Sequence, residues 1–459
     1  MEYLLFLMAN VALFVRPGEI TPLLEGTQFY MYFIIAATLL SVRSLQNQVT
    51  YRTLMQQPIN LCILGVVAGV MLSHMSILYL GGLIAGMVAM AKVVLYYLLL
   101  VALVNTPQRL RQFLMVTALS ATVMIGFSVM DYLSFVETWD GNPALNEALE
   151  VDRTRDAQGE PKLMKHVVEL YGESVTGNRL YTYRMCGLGI FHDPNDVSLV
   201  IVVTAILCAA FLMDQSRGPI RILWVAPLAV LAAGLYCTQS RGGLLAGGVA
   251  GMVWLAVRYG GNVAIALGTL GAVALPVVLG RAADIDISSG SGQERIKLWS
   301  DGLTAITSPR ILFGVGEGMY DQYARLVAHN SYIHAFVELG FFGGTMFFGC
   351  VFFPAVAYLR LYWTRVRLRD PELERLKPFL AAVLGCWCMG MCSLSRCYAA
   401  STYMIFGLSA AYLNLAGFYQ PRPRPLVVFD WLIAQRWILC SAGLLACCFV
   451  FVRVFARFG

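Results

Sequence analysis

Charge is scarce in this chain of 459 residues. Asp, Glu, Lys and Arg supply 13% of it against 58% hydrophobic residues, and the mean hydropathy is +0.68. A soluble domain carries about 25% charged residues, so the shortage excludes a soluble enzyme. The chain instead holds apolar runs of about 17 to 25 residues, the length that crosses a hydrocarbon core of roughly 30 Å. Lipid offers the backbone no hydrogen-bond partner, so such runs form helices. The expectation is an all-α polytopic membrane protein of about 12–13 transmembrane helices. The spans are placed near 2–15, 29–42, 59–75, 82–104, 112–135, 195–213, 222–238, 242–257, 261–280, 332–359, 378–394, 400–418 and 437–453.

Other absences narrow the function. The 12 cysteines are scattered, with Cys208, Cys350, Cys386 and Cys388 inside apolar runs, and neither a CxxC pair nor a Cys/His ligand spacing occurs. That argues against a metal site and for cysteine as a small buried apolar residue; no metal or other cofactor is expected. MEYLLFLMANVALFV lacks the basic start and small-residue cleavage site of a secretory signal, so it reads as a retained first helix. GVGEGM (Gly314–Met319) is glycine-rich but has neither the lysine nor the strand–helix setting of a P-loop. An ATP-driven pump is thereby set aside, and no feature points to a nucleic acid.

The charges that are present have an order. Arg43, Arg52, Arg109, Arg111, Arg217, Arg221, Arg258, the run from Arg360 to Lys377, and Arg436 lie between apolar runs. Read as cytoplasmic by the positive-inside rule, they put the N-terminus inside. Two long polar segments and the tight turn TQSRGG (Thr238–Gly243) then fall on the outer face. The resulting divisions are N-terminal spans over 1–135, a first long outer segment over 136–193, central spans over 194–280, a second outer segment over 281–331, and C-terminal spans over 332–459.

Four stretches on that outer face carry the chemistry. In RMCGLGIFHDPND (Arg184–Asp196), Asp-Pro-Asn suits a capped helix start, while Arg184 is either an interfacial anchor or chemically engaged. In SRGG, Arg241 stands between two apolar runs with almost no loop. An arginine near the membrane core costs about 2.5 to 3.5 kcal/mol, so it either snorkels to the interface or faces a polar cavity or partner. The adjoining glycines admit a close backbone or ligand. In GSGQERIKLWSDGL (Gly290–Leu303), Gln293, Glu294, Arg295 and Lys297 open an amphipathic helix carrying Leu298 and Trp299. It lies along the membrane boundary or is a solvated surface helix.

The fourth stretch is HNSYIHAFVELGFFGG (His329–Gly344). Asn330 or Ser331 can cap the following helix, which leaves His329 unexplained. A neutral imidazole, with an ordinary pKa near 6.5, can take a proton from a substrate hydroxyl; the alternative is a structural histidine. His334 reads as packed or hydrogen-bonded within the bundle. Glu338, one turn beyond, is placed to orient a histidine or pair with an arginine. Three arginines and a histidine thus share one face, and only 5 of the 33 basic residues are lysines. Arginine's planar, permanently charged fork suits phosphate. The combination suggests a lipid-linked phosphate or pyrophosphate substrate with a general base beside it.

At these residues the sequence resembles the bacterial O-antigen ligase and polymerase family, polytopic inner-membrane glycosyltransferases that act on undecaprenyl-diphosphate-linked glycans. The stretches RMCGLGIFHDPND, SRGG, RIKLWSDGL…GVGEG and HNSYIHAFVELGFFGG follow the family's order across Arg184–Gly344. The resemblance implies a GT-C-type membrane glycosyltransferase fold with periplasmic loops, set in the bacterial inner membrane with its site facing the periplasm and using no metal. By position, His329 would be the catalytic base. Arg241 and Arg295 would hold the diphosphate, with Arg184 a third contact and Glu338 and His334 in support. The acceptor would be a second lipid-linked glycan in a polymerase, or lipid A-core in a ligase. No feature points to lipid A, which leans the reading towards polymerase. A transporter or flippase of a lipid-linked sugar is the reading from another class. Lys92, within MVAMAKVVLYY, would serve it, but the ionisable groups gather at one face instead of through the membrane's depth.

Overall fold

The apolar runs are helical wherever the computed structural model describes them, which is over residues 1–20, 24, 26–139, 166–173, 179–268, 291–307 and 309–456. In chain order these are α1 (Glu2–Val15), α2 (Phe29–Gln48), α3 (Pro58–Ser76), α4 (Leu80–Leu103), α5 (Pro107–Trp139), α6 (Pro194–Leu212), α7 (Val225–Thr238) and α8 (Arg241–Tyr259). They continue with α9 (Ser291–Ala305), α10 (Ser331–Thr364), α11 (Pro371–Gly390), α12 (Ala400–Phe418) and α13 (Trp431–Phe455). A helix occupies every expected span; in the span 261–280 it covers residues 261–268, and the rest lies outside the described residues. Among the described residues, 9 helices are long and apolar enough to cross a membrane. The helices α1, α11 and α12 fill expected positions without meeting that measure. The first has 14 residues, α11 opens on Glu372 and Glu374, and α12 carries Ser401, Thr402, Ser409 and Asn414. The chain is an all-α polytopic membrane protein.

One element departs from the helical expectation. In the first long polar segment, β1 (Val167–Glu173) and β2 (Arg179–Arg184) form an antiparallel pair, with Val167 opposite Arg184 and an irregularity between Leu170 and Gly172. Residues 140–165 and 174–178 of that segment, and 281–290 and 308 of the second, lie outside the described residues.

The chain divides into two units. The first comprises Met1–Phe6, Phe33–Gln112 and Gly248–Gly459. Its close helix contacts are made at small residues, as expected where lipid supplies no hydrophobic drive between helices. A Cβ on Gly69 of α3 would stand 2.8 Å from the Gly343 Cα of α10, and one on Gly407 of α12 would stand 2.7 Å from Leu100 of α4. The interior holds Tyr96, Tyr97, Tyr403, Tyr412, Phe347, Phe353 and Phe406, all fully buried. Burying a hydroxyl without a partner is unfavourable, and the Tyr97 hydroxyl donates to Asn60 Oδ1 at 2.6 Å. The second unit comprises Leu7–Tyr32 and Phe113–Gly247. There Gly234 of α7 makes room for Ile125 of α5, and Asn10 of α1 donates to Thr117 Oγ1 of α5 at 2.8 Å.

Candidate active site

In the first unit, the polar opening of α10 separates into three roles. Asn330 is the N-cap, its side chain accepting from the backbone N–H groups of Tyr332 at 3.0 Å and Ile333 at 3.2 Å. Ser331 is fully buried and fastens α10 to the α11–α12 connection. Its N–H donates to the Met391 carbonyl at 2.8 Å, and its hydroxyl donates to the Leu394 carbonyl and accepts from Arg396 N–H at 2.9 Å. His329, half-buried, takes neither role. It sits with φ +48°, the left-handed region that a non-glycine residue enters at a cost.

His334 and Glu338 lie one turn apart and face each other. The imidazole Nε2 is 3.0 Å from Glu338 Oε1, and both side chains are buried. The same carboxylate oxygen accepts from Tyr320 N–H at 3.2 Å. The Tyr320 ring lies 5.2 Å from the His334 ring. Glu338 thus orients His334 inside the bundle instead of reaching an arginine.

Two residues beyond Glu338, α10 breaks. Gly340 adopts φ +66° and ψ −169°, so local backbone groups lose their helical partners. The loop around GVGEG supplies replacements. Val315 and Gly316 N–H donate to the carbonyls of Val337 and Glu338, each at 3.0 Å, while Phe341 and Phe342 N–H donate to Ile311 and Leu312 carbonyls at 2.8 and 3.0 Å. Gly314, at φ +76°, packs so closely that a Cβ there would overlap the Glu338 carbonyl, and one on Gly340 would overlap Gly314 N. The glycines of these two motifs therefore meet in one backbone joint.

Glu317, within the same loop, reaches the first unit's N-terminal helices. Its Oε2 is 3.5 Å from Nε2 of buried His74 on α3, and a Cβ on Gly86 of α4 would lie 2.7 Å from it. Burial first, and the Glu338 charge second, hold the Glu317 carboxyl above its ordinary value, against the opposing influence of His74. Sequence reasoning missed His74 and Glu317. The available signal was an ionisable residue in an apolar run and another in a glycine loop.

The helix α9 docks onto this assembly. Ile296, Leu298 and Leu303 are buried in a cluster with Ile333 and Phe336 of α10 and Leu445 and Val452 of α13, while Glu294 and Lys297 are exposed. Its apolar face is thus covered by protein while these charges stay at the surface, as in the solvated surface helix expected from the sequence. Trp299 Nε1 donates to the Ala328 carbonyl at 2.6 Å, immediately before His329. Arg295, half-buried, lies one turn before Trp299. His329, His334, Glu338 and Arg295 are therefore carried by elements joined to one another within this unit.

Arg184 and Arg241 belong to the second unit. Arg184 closes β2, and its guanidinium donates to Asn195 Oδ1 at 2.8 Å and to the Thr238 carbonyl at 3.1 Å. It ties the start of α6 to the end of α7. Ser240 continues the network, donating to Asn195 Oδ1 at 2.9 Å and accepting from Gly243 N–H at 3.2 Å and Ser198 Oγ at 3.0 Å. These bonds fix the turn that presents Arg241, exposed at the first position of α8. A Cβ on Gly243 would lie 2.5 Å from Ser198 Oγ, so this glycine serves the packing of α8 on α6. Asp193 caps α6, accepting from Asn195 N–H at 2.7 Å. Among the described residues, no three of His, Cys, Asp and Glu converge as metal ligands would.

No curated protein matches the chain at a significant level. Residues 226–348 match the family model described as O-antigen ligase. That segment contains Arg241, Arg295, His329, His334 and Glu338, and leaves Arg184 outside it. Over those residues the chain is similar to the O-antigen ligase family.

Proposed function

We propose that the protein moves a glycan from undecaprenyl diphosphate onto a sugar hydroxyl at the periplasmic face of the bacterial inner membrane. The observation that carries this reading is His329. It is held in a left-handed turn at the start of α10, next to Ala328, whose carbonyl accepts from Trp299 of the helix that bears Arg295. His329 takes the acceptor's hydroxyl proton as that oxygen attacks the anomeric carbon. The bond from that carbon to the diphosphate oxygen breaks, and undecaprenyl diphosphate leaves with the electron pair. One direct displacement inverts the anomeric centre. Arg241 and Arg295 hold the diphosphate and offset its growing charge. Such a leaving group needs positioning, charge stabilisation and one base, and no metal. Arg184 orders the turn before Arg241 and is the third phosphate contact.

Polymerisation is the favoured outcome, because no feature of the chain points to lipid A. The description of the matched family, O-antigen ligase, favours transfer to lipid A-core as the second reading. The transporter reading rested on Lys92, which stands exposed on α4. The test uses purified protein in detergent, an undecaprenyl-diphosphate oligosaccharide, and His329→Ala in parallel. A ladder of longer lipid-linked products with wild type alone supports the polymerase. Product formed only with added lipid A-core identifies a ligase. Turnover by His329→Ala within tenfold of wild type removes the base from His329, since a general base contributes roughly 10²- to 10⁴-fold.

A further inference from the structure

Arg295 and His329 are separated in sequence by a loop, yet the proposed transfer requires the phosphate clamp and the base at a fixed spacing. Two side chains set that spacing in the structure. Trp299, one turn after Arg295, donates to the Ala328 carbonyl beside His329. Tyr320 makes the second link. Its hydroxyl donates to the Leu298 carbonyl of α9 at 2.8 Å, its backbone N–H donates to Glu338 Oε1 at 3.2 Å, and its ring packs on His334. Tyr320 is fully buried.

The sequence of α9 is adapted to this residue. A Cβ on Gly302 would overlap the Tyr320 hydroxyl and ring, so the glycine of WSDGL is the space into which the phenol fits. The last turn of α9 thereby gives up a side chain to admit a side chain from the loop after GVGEG. Burial pushes the Tyr320 phenol's pKa up, so the hydroxyl keeps the proton it donates.

We infer that Tyr320 is a positioning residue for the transfer, bracing the Arg295 helix against the His334–Glu338 pair of α10 so that clamp and base stay aligned. The inference rests on the proposed transfer. Tyr320 acts through Leu298 and Glu338 and touches neither substrate.

The test compares wild type, Tyr320→Phe, Trp299→Phe and Tyr412→Phe in detergent with the lipid-linked oligosaccharide donor. Tyr412→Phe is the matched control. It too removes a buried tyrosine hydroxyl that donates to a helix carbonyl, that of Leu373 at 3.1 Å. Tyr320→Phe and Trp299→Phe are each expected to lower kcat about tenfold, with donor KM changed less than about twofold, because misalignment affects the transition state more than ground-state binding. Hydrogen exchange is expected to rise in residues 293–305 and 326–335 of both variants and to stay unchanged there in Tyr412→Phe. The inference is overturned if Tyr320→Phe keeps kcat within twofold, if Tyr412→Phe loses as much, or if KM alone moves. Should wild type transfer to no acceptor, the proposed function falls, and exchange alone then judges the brace. A rise confined to Tyr320→Phe and Trp299→Phe upholds it, and no rise ends it.

Discussion

Histidines and carboxylates at the centre of this protein divide by what surrounds them. Glu338 is held by Tyr320 and His334, whereas Glu317 has burial and a second carboxylate against it, with His74 as partial compensation. A carboxyl whose pKa is raised by folding binds its proton more readily in the folded chain than in the unfolded one. Its stabilising effect is therefore complete below the ordinary carboxylate range and is lost as pH rises through the raised value. Glu317→Gln stays neutral throughout. Its melting temperature in detergent should match wild type near about pH 4 and exceed it increasingly towards about pH 8. A gap that instead narrows with pH would mean that His74 stabilises the carboxylate more than burial opposes it. The candidate base was legible in the sequence because capping accounts for Asn330 and not for His329. The role of Ser331 was not, since its partners Met391, Leu394 and Arg396 are brought to it by tertiary structure alone.

Elements show a different limit. Long apolar runs announce helices by length alone, and Asp193 and Asp370 announce where two of them begin. The break of α10 at Gly340 left no such mark, because the apolar pattern continues through it and its replacement partners come from the 311–316 loop. The hairpin β1–β2 was readable in principle from VVELYGE and RLYTYR, each rich in β-formers. Counting polar residues as loop concealed it. The backbone joint gives a sharp expectation. Gly314→Ala and Gly340→Ala each place a methyl against a backbone atom at a positive φ, and each should destabilise by about 2 kcal/mol or more. The double variant should lose less than the sum, because the first methyl already opens the joint. Thermal unfolding of the three variants measures this. Additive losses would show that the two glycines do not share one contact.

For the whole molecule, the sequence divides its basic loops from its long polar segments, and that division makes an accessibility prediction. In a variant lacking the exposed Cys392, Cys440 and Cys447, a cysteine at Asp321 should react with a membrane-impermeant maleimide added to intact cells, and one at Arg422 only after lysis. Both positions are exposed, so burial does not confuse the comparison. Labelling of both from outside would reverse the assigned orientation of the C-terminal half.

His329 lies in a conformation that suits glycine. Replacing it with glycine or with alanine removes the same imidazole, and the two variants differ in how easily the backbone accepts the turn. His329→Gly should therefore outlast His329→Ala by about 1 kcal/mol in thermal unfolding, while neither transfers glycan. A library screened only for heat resistance would drift towards glycine at this position and go silent, so a more robust enzyme must be sought with residue 329 held fixed.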